Sequence, residues 1–362
     1  MVDLRAALQW PRGTDALIES IQVIAFLLMS VAWLYRKWDK NKTVLWMREF
    51  VGIGKVPKST DQSQSSQNFK RVIAWDMVFY VGQAHILALY AVYLFVTRAK
   101  LATFVFAVLV HVCGVYSITG GVHRLYAHRA FKATWAYQLV IVMLNSCLMQ
   151  HPMISWAHDH RVHHKFVDTN ADPTNATNGL WFSHLGWMMQ ERHPEVIKKG
   201  RTVDKSDLES NPLLNFQRNF YPLLIFTFNF FIPTATPILL WDESFWTSYF
   251  TCSVFPWVLG INTVGFVNSV LHYEGQRTYN KKITAIDCRP IVQFLVQGEG
   301  EHNFHHSFPM DYRGGEKWSP LHFFQHVIDI CSWFGLIYDR RVTSQSLVDR
   351  VKLSGAFSAG DY

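Results

Sequence analysis

The chain has 362 residues, 49% of them hydrophobic, and a formal net charge of +7. Mean hydropathy lies just above zero, so the distribution of charge decides more than its sum. The positive charges collect between long apolar stretches, which is the pattern of membrane topology and not of a nucleic-acid face. Five scattered cysteines with no CxxC pair exclude a disulfide framework and a cysteine-ligated metal.

In chain order, the N-terminal segment 1–73 holds an apolar stretch at 21–35, followed at once by Arg36 and Lys37. It reads as an extra span or an interfacial helix. No small-residue cleavage site follows it, which argues against a signal peptide. The polar run "STDQSQSSQ" at 59–67 reads as a flexible connection. Residues 74–122 form a first transmembrane hairpin, since Met77–Thr97 and Leu101–Val122 carry no Asp, Glu, Lys or Arg. Residues 220–271 form a second, with Phe220–Leu240 and Ser244–Tyr273 equally uncharged. Each stretch has the roughly 20 residues that cross a bilayer core as a helix.

Lys and Arg number nine in 36–73, eleven in 123–219 and ten in 271–362, against two within the hairpins. The blocks 123–219 and 272–362 therefore belong on the cytosolic side, with the N-terminal linker. The acceptor patterns "NKT" at 41 and "NAT" at 175 fall in those segments and should stay unmodified. The fold class expected is an all-α integral membrane protein with four transmembrane helices and a cytosolic helical cap.

The histidines say what the cap holds. Lone histidines among the seventeen, such as His85 and His184, read as packed or capping residues. Four clusters differ: "HRLYAH" (His123, His128), "HRVHH" (His160, His163, His164), "NSVLH" (Asn268, His272) and "HNFHH" (His302, His305, His306). Positions i, i+3 and i+4 share a helix face, so each triplet projects together. At about 100° per residue His123 and His128 diverge by about 140° and could flank a site holding two ions. Nine imidazoles exceed what one ion accepts, and two ions with four or five ligands each absorb them all. His158 points from a different face and is no ligand. For all clusters to meet on one side, the uncharged stretch Ala133–Ala157 must be a buried or interfacial helix and not a span.

Imidazole donors leave zinc, copper, iron and nickel open. A zinc hydrolase needs a nucleophile or base set that is not visible. A pair of irons facing an apolar interior suits oxygen chemistry on an unactivated chain. Asp168 and Asp172, just after the second cluster, read as carboxylates that orient ligand rings.

With these residues on the page, the chain resembles the acyl-CoA desaturases of endoplasmic reticulum membranes, the stearoyl-CoA desaturase family. The likeness covers about residues 70–350 and rests on "GGVHRLYAHRAFKA", "DHRVHHKF" with "NADP" and "FSHLGW", "VNSVLH", and "GEGEHNFHHSFPMDY" with "YDRR". The resemblance implies a mushroom-shaped protein whose cap holds two irons on the nine histidines, with Asn268 holding a water. It implies O2-dependent removal of two hydrogens from a fatty acyl-CoA to leave a cis double bond, at Δ9 by family default. Electrons would come from NADH through a reductase and cytochrome b5, a separate partner because no "HPGG" haem segment occurs here. Trp156 matches a tryptophan near the acyl chain.

The chain departs from the family at several positions. Glu301 stands where an aromatic usually precedes the third-box histidine. His151 and His158 replace an Asn and an Arg that contact CoA, and Glu191-Arg192 replaces a basic pair. His111 and Val115 replace a tyrosine and a small residue at the far end of the substrate tunnel. These changes point to an acyl substrate unusual in head group, length or position of attack, with the metal chemistry intact. A fatty acyl hydroxylase on the same centre is the alternative enzyme. A scaffold without activity and a metal transporter are weaker readings, since no ligand is lost and the histidines lie outside the spans.

Overall fold

The computed structural model describes Phe69 and residues 71–288, 290–316 and 318–354. The apolar stretch at 21–35 and the polar run at 59–67 lie outside the described residues. Among the described residues, four helices are long and apolar enough to cross a bilayer: α1 (Trp75–Thr97), α2 (Leu101–Ala127), α6 (Tyr221–Trp241) and α7 (Phe245–His272). They coincide with the four uncharged stretches to within a few residues. Large apolar side chains stay exposed on them, among them Phe79, Leu89, Val96 and Leu240. Exposed apolar surface on that scale needs lipid against it, and the chain is a multi-pass membrane protein.

The two hairpins are tied together at one end. Glu243, buried in the turn between α6 and α7, accepts the Lys100 backbone N–H at 2.9 Å and the Thr103 hydroxyl at 2.6 Å. Lys100 Nζ in turn reaches the carbonyls of Trp241 and Asp242. Asp242 closes α6 in the left-handed conformation, at φ 53°, and Ser244 caps α7 by accepting from Thr247 N–H.

The cap gathers at the opposite end. After α2 the chain enters helix α3 (Trp135–Asn145), capped by Thr134. At 11 residues α3 is only about 16 Å long, half a hydrocarbon core, so it packs beside α2 and does not cross. This is what the meeting of the histidine clusters requires. Helix α4 (Met153–Phe166) carries the second cluster and α5 (Leu180–His184) packs on α7. Beyond α7 lie α8 (Pro290–Leu295), α9 (His302–Ser307), α10 (Phe323–Trp333) and α11 (Gln345–Ser354). A two-residue ladder, β1 (Lys132–Ala133) against β2 (Ile337–Tyr338), joins the first and last parts of the cap. The largest apolar core runs through this region, from Val122 and Ile141 to Leu214, Phe324 and Ile328.

Candidate metal centre

The end of α2 is wound as a π-helix from Ser117 to Ala127. Its amides bond five residues back, and His128 N–H reaches the His123 carbonyl at 3.0 Å. Residues five apart therefore lie on one face, and His123 and His128 point together. The expected divergence of these two rings assumed an ordinary α-helix; the wider turn removes it. Gly121 permits the close approach of α3, since a Cβ there would overlap Ile141.

All nine histidines converge. Ring nitrogens of His123, His128, His160, His164 and His305 lie within 4.8 Å of one another, and those of His163, His272, His302 and His306 form a second such group. Each triplet is divided between the two. The i, i+4 pair His160/His164 serves the first group while His163 serves the second, and His302/His306 serves the second while His305 serves the first. The groups abut where the rings of His164 and His306 stack at 4.1 Å.

These donors fit a pair of cations. Nε2 atoms approach in pairs at 2.9–3.1 Å, and His305 Nε2 faces both His123 and His164. A neutral imidazole has one N–H and one lone pair, so rings packed this way turn several lone pairs on one another unless a cation sits among them. Burial first, and then the neighbouring rings, holds His128, His160, His164, His305 and His306 well below the ordinary histidine pKa. The same causes bring His302 down to about 3. Lowered pKa values favour the neutral form of these six rings, the form that metal ligation requires.

The outer face of the second group is backed by carboxylates. Asp172 Oδ1 lies 2.8 Å from His163 Nδ1. Burial disfavours a charged His163, but Asp172, with Asp168 beyond it, outweighs that and raises its pKa. Asp168 accepts the Thr284 hydroxyl at 2.5 Å, and that oxygen lies 2.9 Å from His272 Nδ1. In the first group the nearest carboxylate found is Glu299, 3.9 Å from His123 Nδ1.

Arginines fasten the pieces. Arg161, inside the second cluster, donates to the carbonyls of Tyr126 and Ala127 at 2.6 and 3.0 Å and to Asp207. Arg124, beside His123, is buried against Glu299 at 2.5 Å and the Tyr312 carbonyl at 2.7 Å. Arg161, Glu299 and Thr284 escape a reading based on ligand types. Their only signal in the sequence is position: Arg161 and Glu299 lie within or beside boxes already singled out.

A cavity of about 350 Å3 begins at the centre. His160, His163, Asn268 and Trp156 line it, and it follows one face of α7 through Val264 and Ile261 to Trp257. Trp156 also stacks on His160, with centroids 5.1 Å apart. Of the residues expected at the substrate, Trp156 and His151 line the cavity, whereas His158, Arg192, His111 and Val115 do not. His158 turns to the Gly200 carbonyl at 3.0 Å. Arg192 makes a two-point ion pair with Asp159, itself a lining residue. His111 is buried against Gln297 at 2.9 Å, and Val115 packs in the core. Glu301 does not touch a ligand ring; its carboxylate lies 3.1 Å from His322 Nε2 and accepts the Glu316 N–H at 2.8 Å. His85 and His184 are joined through the Asn262 amide at 3.0 and 3.2 Å.

A helical membrane protein with two histidine groups at the head of an apolar cavity could hold a pair of metal ions beside an apolar chain. The comparisons make the class specific. The fatty acid desaturase family model matches residues 99–328. An acyl-CoA Delta(11) desaturase of Trichoplusia ni is 41% identical over 280 residues, covering 76% of this chain and 79% of the relative. An acyl-CoA Delta12-desaturase of Acheta domesticus is 41% identical over 281 residues, 77% and 78% of the two chains. A stearoyl-CoA desaturase of Bos taurus is 36% identical over 297 residues, 82% of each. The chain belongs to the fatty acid desaturase family.

Proposed function

We propose that this protein is an O2-dependent acyl-CoA desaturase of unsaturated fatty acid synthesis. The observation that carries the reading is the shared wall: His160 and His163 belong both to the histidine groups and to the apolar cavity. A methylene chain entering that cavity is brought to the donors that would hold the metal.

The ions would be two irons, one on His123, His128, His160, His164 and His305, the other on His163, His272, His302 and His306, with Asn268 facing a water beside them. Bound there, iron supplies the one-electron chemistry that O2 needs to take two hydrogens from adjacent methylenes. The chain's own residues do the rest. Trp156, Val264 and Ile261 hold the acyl chain along α7 and keep bulk water off the reacting carbons. Asp172 holds the His163 ring, and Asp168 acts on His272 through Thr284. Two electrons and two protons must be supplied for each double bond, so that O2 leaves as two waters. Reduced cytochrome b5, recharged by its NADH reductase, is the electron donor that the family resemblance supports.

A smaller cavity lined by Arg71, Arg192 and His193 together with Asp172 and Glu191 adjoins the first, sharing Pro173 and Trp187 with it. Its charges are mixed, so a CoA head group is what the relatives' names support. The Lys and Arg bias supports a cytosolic cap, and the family resemblance supports the endoplasmic reticulum membrane. The relatives' names carry positions 9, 11 and 12, so the family does not dictate the position of the double bond here.

Expression in desaturase-deficient yeast, with product analysis and metal determination on the purified protein, tests the reading. Unsaturated acyl products with about two irons per chain are expected. Hydroxylated products, or zinc in place of iron, would overturn it.

A further inference from the structure

Two residues that the family resemblance places at the end of the acyl tunnel, His111 and Val115, do not line the cavity. Between them on α2 lies Gly114, and facing it on α7 lies Gly260. The side chain of Leu148 fills the space between these glycines. A Cβ at Gly114 would overlap Leu148 Cγ, and one at Gly260 would lie 2.8 Å from Leu148 Cδ1. Leu148 is fully buried.

The backbone explains how it arrives there. The link between α3 and α4 holds Met149 at φ 49° and His151 at φ 72°, a left-handed conformation that side-chain-bearing residues rarely adopt. These two reversals send successive side chains in different directions. Leu148 goes into the glycine socket against α2, while Met149, Gln150 and His151 turn into the cavity. Leu148 thus stands between the cavity, at Met149 and Ile261, and the region of His111 and Val115.

On the other side the cavity continues to a floor built from α1, α7 and the same link. Tyr80 and Trp257 pack with centroids 5.6 Å apart, and the Tyr80 hydroxyl lies 4.0 Å from Met149 Sδ. Trp257 is 11 residues from Asn268 along α7, which sets the floor about 16 Å from the level of Asn268.

We infer that Leu148 is a specificity-determining residue: it shuts the α2 side of the acyl cavity, so the methyl end is received against Tyr80, Met149 and Trp257. The inference rests on the acyl desaturase reading. Because the seat of the methyl end fixes which methylenes lie beside the histidines, Leu148 sets both the longest chain accepted and the position of attack.

The test uses the full chain, purified with its iron and supplied with saturated acyl-CoAs of graded length. Leu148→Ala removes three carbons from the socket, and Leu148→Val removes one. One methylene in an apolar pocket changes discrimination by roughly tenfold or more. Leu148→Ala should therefore raise kcat/KM for chains longer than the wild-type optimum by at least about that factor, with a smaller shift for Leu148→Val. Iron content equal to wild type marks a variant as folded, and Leu148→Val decides the matter where Leu148→Ala loses iron. An unchanged length profile in the folded variants, with wild type still producing unsaturated acyl chains, overturns this inference alone. Absence of unsaturated product from wild type with every chain overturns the desaturase reading and this inference together.

Discussion

Asp172 Oδ1 sits 2.8 Å from His163 Nδ1, and both side chains are buried. The carboxylate fixes which ring nitrogen carries the proton and turns the other toward the second histidine group. Asp172→Asn keeps the shape but loses the charge. Partners of this kind are worth about 10- to 100-fold in metal affinity. The variant should hold about half the wild-type metal after dialysis against a weak chelator, with the remaining metal in the five-histidine group. Equal retention at both positions would show that Asp172 does not orient His163.

A second relay is longer and should matter less. Thr284→Val removes the hydroxyl between Asp168 and His272 at nearly constant volume. It leaves a half-buried carboxylate with one fewer donor, at a cost of about 1–3 kcal/mol. Thermal unfolding in detergent should show the loss, and metal release from the four-histidine group should quicken. Thr284→Ser should restore both.

Glu301 is a departure from the family whose partner is not a ligand. Its carboxylate lies against His322, which is 1% exposed. Glu301→Phe leaves that ring without an acidic neighbour and the Glu316 N–H without its acceptor. The expected result is a loss of about 1–3 kcal/mol in stability with metal content unchanged. Metal loss without a drop in melting temperature would contradict this assignment.

Acid should act through the rings before it acts on the arginine anchors. His302 titrates at about 3 in the folded chain, below the unfolded histidine value of about 6.5. Its neutral form therefore contributes stability in full above about pH 6.5, and that contribution is lost as pH falls toward 3. Asp207 is also depressed: burial opposes its charge, but hydrogen bonds from Arg161 and Arg129 outweigh burial. Its contribution is complete above the ordinary aspartate value of about 3.9 and is lost only below it. A pH titration of the metal-free protein should show destabilisation beginning near pH 6.5 in wild type and in Asp207→Asn alike. An onset shared with Asp207 ionisation, below about 4, would contradict this order.

The spans are legible in the sequence because lipid tolerates no charge, so absence of charge over some twenty residues marks them directly. The non-crossing of α3 follows from the same reasoning, once the clusters must meet. What the sequence conceals is local winding and direction. No residue pattern announces the π-turn that aligns His123 with His128. The positions of His111, Val115 and Leu148 are hidden likewise, because two left-handed residues decide which side chain enters the cavity. The partner of Glu301 lies 21 residues further along the chain, beyond the reach of spacing arguments.

The division of each histidine triplet has a consequence for assembly. Helices α4 and α9 each furnish ligands to both groups, and neither group contains a carboxylate among its members. The spacing of the two ligand groups is therefore set by the backbones of α4 and α9, where the neighbours His163 and His164, and His305 and His306, fall in different groups. The two groups share both helices, so folding of the cap creates both positions at once, while each position can still lose its ion separately.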